Sequence, residues 1–326
     1  MAAVRPILSN QYFLVTFCRR SYSAKADKNV AFLGLGNMGG FMAANLVKKG
    51  FNVTGYDPSS EALSAAAKHG VTGASSIAAA VEAADVVVSI LPSNQVVLDA
   101  YLGKDGVVAH AKKGSLLIDS STVAPSVPKQ IHPVAAEHGH QFIDAPVSGG
   151  VMGAQNATLA FMAGGDKAHF DRSAPLLQAM GAKHFHCGAA GAGQVAKLAN
   201  NMLMGITGMA TAECMNMGIK MGLEPKVLLD VLNNSSARSW STEVYCPVPG
   251  LVPTAPSSRN YDGGFKNELM VKDLELASGM ALGARSPIPL GAVATQLYRV
   301  VQSRGYGHKD FSYVYQLLRE ELQNKK

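Results

Sequence analysis

The stretch "NVAFLGLGNMGGFMAANLVKKGFNVTGYD", residues 29–57, constrains the fold more than any other part of the chain. Val30–Leu35 reads as a buried strand, residues 41–50 as a helix ended by Gly50, and a second strand ends in Asp57. Gly34, Gly36 and Gly39 between strand and helix form G-x-G-x-x-G, with Asn37 and Met38 inside the turn. Gly34 permits the tight turn, Gly36 lets the main chain approach a pyrophosphate, and Gly39 lets the helix pack closely on the sheet. The free amides and positive dipole end of that helix then hold the phosphates.

A glycine triplet alone is weak evidence. Its position between a strand and a helix, with an acid 21 residues after Gly36, makes a dinucleotide site the best reading. Asp57 there hydrogen-bonds the ribose hydroxyls and repels a 2′-phosphate, which points to NAD over NADP. The competing reading of Asp57 as the start of the turn "DPSS" is weaker.

Further strands at 85–91, 114–121, 141–147 and 158–164 alternate with helical stretches, as a doubly wound parallel α/β sheet requires. Ligands in such sheets sit beyond the carboxyl ends of the strands. The loops there are "LPSN", "SST" and "DAPVSGG". In the last, the Ser148 hydroxyl and the bare amides of Gly149 and Gly150 make a pocket for a carboxylate. Thr122 and the Leu91–Pro92 backbone are expected beside the nicotinamide ribose; the plainer reading of Thr122 is a helix cap.

A chain of 326 residues is longer than one core usually grows, so two domains are expected. No apolar run reaches the span of a bilayer, and a soluble protein is expected. The formal charge of +6 owes much to the first 26 residues, which carry Arg5, Arg19, Arg20 and Lys25 and no acid. Without them 25 bases face 23 acids, a net +2 that describes no nucleic-acid surface. The segment 1–26 has the arginine-bearing, acid-free character of a mitochondrial transit peptide, and "RRSYSA" places its cleavage after Tyr22, which makes a matrix enzyme the expectation. Four cysteines without pair spacing indicate neither a disulfide framework nor a zinc site. "HFHC" (184–187) reads as an alternating strand, so no metal is expected.

From about Gly193 to Lys220 the chain reads as one helix on the order of 40 Å long at 1.5 Å per residue, enough to run between two domains. It is apolar on every side and should be buried all round. Lys197 and Asn201, four apart, share a face, whereas Asn200 is rotated away. An ammonium group in such surroundings is desolvated and its pKa falls towards neutrality, which suits a general acid–base group. Asn201 can orient the lysine or bind a substrate hydroxyl.

These motifs resemble the β-hydroxyacid dehydrogenases. "FLGLGNMGGFMAANL", "DAPVSGG", "GQVAKLANN" and "ELMVKDLELA", with its pair Lys272 and Asp273, carry the likeness over roughly residues 29–320. "NNSSARSWSTEVYCPVPG" and "YDGGF" are similar to the hydroxyisobutyrate branch. The resemblance implies a Rossmann domain over 27–190 and an all-helical substrate and oligomerisation domain over 191–326. It implies Lys197 as the active-site residue, Ser148, Gly149, Gly150 and Asn201 as substrate contacts, and Lys272 near cofactor and substrate. Residues alone would leave Lys272 on the surface. The implied reaction is NAD-linked oxidation of (S)-3-hydroxyisobutyrate to methylmalonate semialdehyde, a step of valine breakdown, by a homo-oligomer (dimer or tetramer). One departure is Val96, which stands where the family often has an asparagine that contacts NAD.

An NADPH-dependent glyoxylate or succinic semialdehyde reductase of the same family would carry a basic signature where this chain has Tyr56-Asp57. A non-catalytic module with this fold would lack the lysine that is present here. The Pro-rich "CPVPGLVPTAPSS" (246–258) is expected to line the substrate mouth, and the C-terminal helices to pack on the domain interface and a neighbouring subunit.

Overall fold

The computed structural model describes residues 27–320; the transit-peptide reading of residues 1–26 lies outside them. The strands are β1 (Asn29–Leu33), β2 (Asn52–Tyr56), β3 (Thr72–Gly73), β4 (Val86–Ser89), β5 (Leu116–Asp119), β6 (Gln141–Asp144), β7 (Val147–Ser148), β8 (Leu159–Gly165) and β9 (Gly181–Gly188). Among them run helices α1 (Gly39–Lys48), α2 (Ser60–Ala67), α3 (Ile77–Val81), α4 (Asn94–Leu102), α5 (Val107–His110), α6 (Ser126–Glu137), α7 (Gly150–Gln155) and α8 (Lys167–Met180). The rest is helical: α9 (Ala192–Lys220), α10 (Pro225–Asn233), α11 (Trp240–Glu243), α12 (Asn267–Gly283), α13 (Pro289–Val301) and α14 (Val314–Glu320).

All strands join one sheet in the order β3-β2-β1-β4-β5-β6-β8-β7, with β9 also paired to β8. Every residue of β4 and β5 is buried, as a parallel sheet covered on both faces demands. One face packs on Met42 and Leu46 of α1 and Leu176 and Leu177 of α8. The other packs on Val97 and Tyr101 of α4 and Val127 and Ile131 of α6. A Rossmann-type sheet followed by a helical C-terminal region is therefore the architecture.

The sheet is not parallel throughout. β6 and β7 each pair antiparallel with β8. A parallel return needs a long crossover, and the segment between β7 and β8 contains only the six-residue α7. "HFHC" does form a strand, β9, whose side chains alternate in exposure.

At the opposite edge of the strands, Arg172 of α8 ties several chain segments together. Its guanidinium donates to both carboxylate oxygens of Asp27, at 2.8 and 2.9 Å, and to the carbonyls of Gly114 and Asp85. The segment before β1 is thereby pinned to those leading into β4 and β5.

α9 is a single helix of 29 residues. Met209, Ala212 and Met215 pack in a core with Met270 and Leu274 of α12, Tyr298 of α13 and Phe311. It is not buried all round, however: Val195, Leu203 and Met217 are 43%, 61% and 64% exposed. The other helices cover one side of the rod and leave an apolar stripe uncovered. The Pro-rich segment packs inward, with Cys246 and Val248 in the helical core and the Ser257 hydroxyl donating to the Cys246 carbonyl at 2.6 Å. Val314 and Leu317 of α14 join the same core. Among the described residues no helix is long and apolar enough to cross a membrane, and no cluster of histidine, cysteine or acidic side chains could hold a metal.

Candidate active site

The glycine turn is built as its spacing requires. Gly34 has φ +90°, and a Cβ there would lie 2.3 Å from the Ile90 carbonyl oxygen. A Cβ on Gly39 would lie 1.9 Å from the carbonyl oxygen of Gly34, so helix and turn touch backbone to backbone. A Cβ on Gly36 would meet no protein atom within 4 Å. The protein makes no steric demand at that position, which leaves its backbone open to a ligand. The N-cap of α1, Met38, offers no side-chain cap and the first turn holds no acid, leaving its dipole end free for an anion. The Asp57 carboxylate accepts from the amides of Leu35 at 2.7 Å and Ser59 at 2.9 Å. Asp57 thus does start the turn, and it also braces the glycine loop. The residues present fit a dinucleotide.

The loops after β4 and β5 are linked. Ser121 Oγ accepts from the Leu91 amide at 2.7 Å and donates to Asp119 Oδ1 at 2.6 Å. Burial raises the Asp119 carboxyl, against the hydroxyl donors of Ser121 and Ser89. Thr122 caps no helix, because α6 starts after Pro125. Its carbonyl instead accepts from Lys272 Nζ at 2.9 Å, across 150 residues of sequence. Lys272 is accordingly only half-exposed. Among the described residues the Ser148 hydroxyl has no hydrogen-bond partner, and Gly149 and Gly150 follow it with φ +133° and +62°.

Lys197 faces inward from α9, 6% exposed. Burial pulls its ammonium group from the ordinary 10.5 down to about 8; the Asp273 carboxylate opposes that shift and Lys272 adds to it. Its ammonium makes no hydrogen bond among the described residues. Asn201, one turn on, donates to Asp273 Oδ2 at 2.6 Å, and Asp273 Oδ1 lies 3.4 Å from Lys272 Nζ. A chain of polar groups thus joins α9, α12 and the loop after β5.

Residues 29–188 match the family described as the NAD binding domain of 6-phosphogluconate dehydrogenase. Residues 191–318 match that described as NAD-binding of NADP-dependent 3-hydroxyisobutyrate dehydrogenase. The mitochondrial 3-hydroxyisobutyrate dehydrogenase of Rattus norvegicus is 47% identical over 94% of this chain and 91% of its own. The chain belongs to the β-hydroxyacid dehydrogenase family. An NAD-dependent L-serine dehydrogenase of Pseudomonas aeruginosa is 45% identical over 89% of this chain and 97% of its own. A solved structure of Mycobacterium tuberculosis 3-hydroxyisobutyrate dehydrogenase with L-serine superposes with a TM-score of 0.85, at 44% identity, covering 90% of this chain and 99% of that one.

As a β-hydroxyacid dehydrogenase, the chain is an oxidoreductase with an NAD-binding Rossmann domain. Its fold brings Lys197, Asn201, Lys272 and Thr122 to one linked region. Val96 is 40% exposed on α4. The neighbouring polar side chain, Asn94, is spent on the Ala124 amide at 3.0 Å. Asn200 is exposed as expected, yet its amide still reaches Asn201 Oδ1 at 3.1 Å.

Two further buried polar groups, Asp144 and Gln194, without a sequence signal of their own, tie the start of α9 to the sheet and its loops. Asp144, the first residue of "DAPVSGG", accepts from the amides of Gly191 at 2.7 Å and Gln194 at 3.1 Å. Burial pushes its carboxyl up to about 7, although both amides favour the ionised form. Gln194, in "GQVAK", is fully buried and hydrogen-bonded at both ends of its amide. Both lie in "DAPVSGG" and "GQVAKLANN", but a lone Asp or Gln carries no sequence signal of its partner.

Proposed function

We propose that this β-hydroxyacid dehydrogenase oxidises (S)-3-hydroxyisobutyrate to methylmalonate semialdehyde, with NAD as cofactor and Lys197 as general base. One observation carries the proposal: a single lysine, sunk in the long helix and shifted to about 8, feels the charge of Asp273, whose carboxylate also lies 3.4 Å from Lys272 Nζ, which in turn donates to the Thr122 carbonyl after β5. The Ser148 hydroxyl and the amides of Gly149 and Gly150 receive the substrate carboxylate. Lys197 takes the hydroxyl proton, and Asn201, fixed by Asp273, orients that hydroxyl. When bound, NAD supplies the acceptor for the hydride leaving the terminal carbon. Gly34, Gly36, Asn37, Met38, Gly39, Asp57, Leu91, Pro92, Thr122 and Lys272 hold the cofactor. Residues 27–190 act as the nucleotide domain and 191–326 as the helical domain.

The Asp57 carboxylate at the end of β2 favours NAD, because a 2′-phosphate beside it would be repelled. The mitochondrial relatives and the acid-free leader support import to the mitochondrial matrix and a place in valine breakdown. L-serine is the competing substrate, given the relative named for it and the solved structure that contains it. The two differ by a methyl against an ammonium group on the carbon next to the carboxylate. NAD reduction with (S)-3-hydroxyisobutyrate, L-serine and longer hydroxy acids decides it, each run with NAD and NADP. The expected result is highest kcat/KM with hydroxyisobutyrate and NAD; a preference for L-serine or for NADP rejects that part of the proposal.

The base must be neutral to accept a proton, so kcat/KM for oxidation should rise with pH through about 8 and level above it. The Asp273 carboxylate holds the ammonium form up, so Asp273→Asn should move the midpoint to lower pH. A pH–rate profile of the two proteins checks the direction; a midpoint that stays or rises rejects the role of Asp273.

The subunits form a homo-oligomer. Of the 18 large apolar side chains exposed among the described residues, 14 lie at Val195 or beyond. Exposed apolar side chains gathered in the helical half of the chain support an association surface there. Light scattering should return a dimer or tetramer mass, and a monomer at micromolar concentration counts against it.

A further inference from the structure

The first turn of α9 is docked on the sheet with no slack. A Cβ on Gly193 would lie 2.2 Å from the Met162 carbonyl oxygen and 2.7 Å from Asp144 Oδ2. The Asp144 carboxylate, at the end of β6, holds the Gly191 and Gln194 amides. The Gln194 side chain then reaches sideways: Nε2 donates to the Ser121 carbonyl at 2.8 Å, and Oε1 accepts from the Val123 amide at 3.1 Å. It therefore brackets Thr122, the residue whose carbonyl receives Lys272. Lys197 stands three residues after Gln194, on the same face of the helix.

A helix pinned only at its end can still rotate and slide against its neighbours. Two hydrogen bonds from one planar amide to two backbone groups remove both freedoms, because rotation or sliding would break at least one. Each bond is worth only about 1 kcal/mol net, but stranding the buried partners costs more. Gln194 thus converts the docking of α9 into a fixed relation between the loop beside the cofactor and the lysine.

We propose that Gln194 is a positioning residue for the reaction: with Asp144 it locks the register of α9 against the 121–123 loop and so holds the Lys197 amine at its working distance from the substrate hydroxyl. This deepens the assignment of Lys197 as base and rests on it. Displacement of a reacting group by about 1 Å can lower a rate by roughly 100-fold.

Gln194→Met keeps the length of the side chain and loses both bonds; Gln194→Glu keeps the acceptor for Val123 and loses the donor to Ser121. In the full-length protein, steady-state oxidation and NAD titration by fluorescence should give a kcat about 10- to 100-fold lower for Gln194→Met. Gln194→Glu should fall between that variant and the parent, with KM for the hydroxy acid and Kd for NAD within about threefold in both. A part that is merely structural would lower thermal stability and leave kcat of the folded protein unchanged; that result overturns the proposal. If Gln194→Met does not fold, the kcat of Gln194→Glu decides alone, and a parental value overturns it. Full turnover in a Lys197→Ala variant sinks the base assignment itself. A dead Lys197→Ala beside a normal Gln194→Met sinks only the positioning role.

Discussion

Replacing Lys197 with alanine should lower turnover by roughly two to four powers of ten while leaving NAD affinity within about twofold. The first half follows from the chemistry of a positioned base, and the second from geometry. The phosphate turn, α1 and Asp57 lie in another part of the chain, and nothing in their hydrogen bonding involves Lys197. Measured kcat for hydroxyisobutyrate oxidation, alongside an NAD titration, checks both. Turnover near the parental value removes Lys197 from the reaction.

The same lysine makes a less obvious prediction about stability. Its folded pKa, about 8, lies below the ordinary 10.5 of an unfolded chain. Between those values the unfolded state binds more protons, so stability rises with pH there. At pH 7 the amine is charged in both states and the full desolvation cost of burying it is present. Lys197→Met, apolar and of similar length, should therefore melt a few degrees higher than the parent at pH 7, with the gain shrinking as pH passes 8. A lower melting temperature in calorimetry would mean that the ammonium is well solvated, and the base assignment would lose its physical ground.

Alanine at Gly36 and at Gly39 should fail in opposite ways. At Gly39 the new methyl would sit 1.9 Å from a backbone oxygen, so strand turn and helix must separate. A folding loss of several kcal/mol is expected, of the order seen for severe overpacking. At Gly36 no protein atom lies within 4 Å, so the melting temperature should be nearly unchanged. The methyl instead occupies the approach of a pyrophosphate, and Kd for NAD should rise at least about 10-fold. Thermal melts and NAD titrations of both variants separate the two. An unaltered NAD affinity in Gly36→Ala would remove the dinucleotide from that turn.

Some of this centre was legible in the residues because the information is local. The glycine turn depends on a strand, a turn and a helix that follow one another, and Gly39 answers a steric demand five residues away at Gly34. α9 is legible for the same reason, as a long run without a proline. The strand at 158–164 was legible as a strand but not in its direction, since the antiparallel return depends on how the chain leaves Gly149 and Gly150.

The face of α9 could not be read in the same way. Its composition is apolar on every side, yet Leu203 and Met217 stay uncovered while Lys197 and Asn201 are buried. Hydropathy reports what a side chain prefers and not which neighbour arrives to cover it. Asp144 and Gln194 were invisible as a pair for a related cause: one ends a strand and the other starts a helix, 50 residues apart.

By itself, the order of residues determined the nucleotide turn, the long helix and the candidate lysine, all through patterns among near neighbours in the chain. Only the tertiary structure decided which face of α9 is covered over this lysine, that the charge of Asp273 acts on it and that Lys272 reaches the loop after β5. Those bonds close over 72 residues from Asn201 to Asp273 and over 150 from Thr122 to Lys272. Desolvation and charge pairing are set by whatever packs against a group, and that packing is a property of the assembled fold.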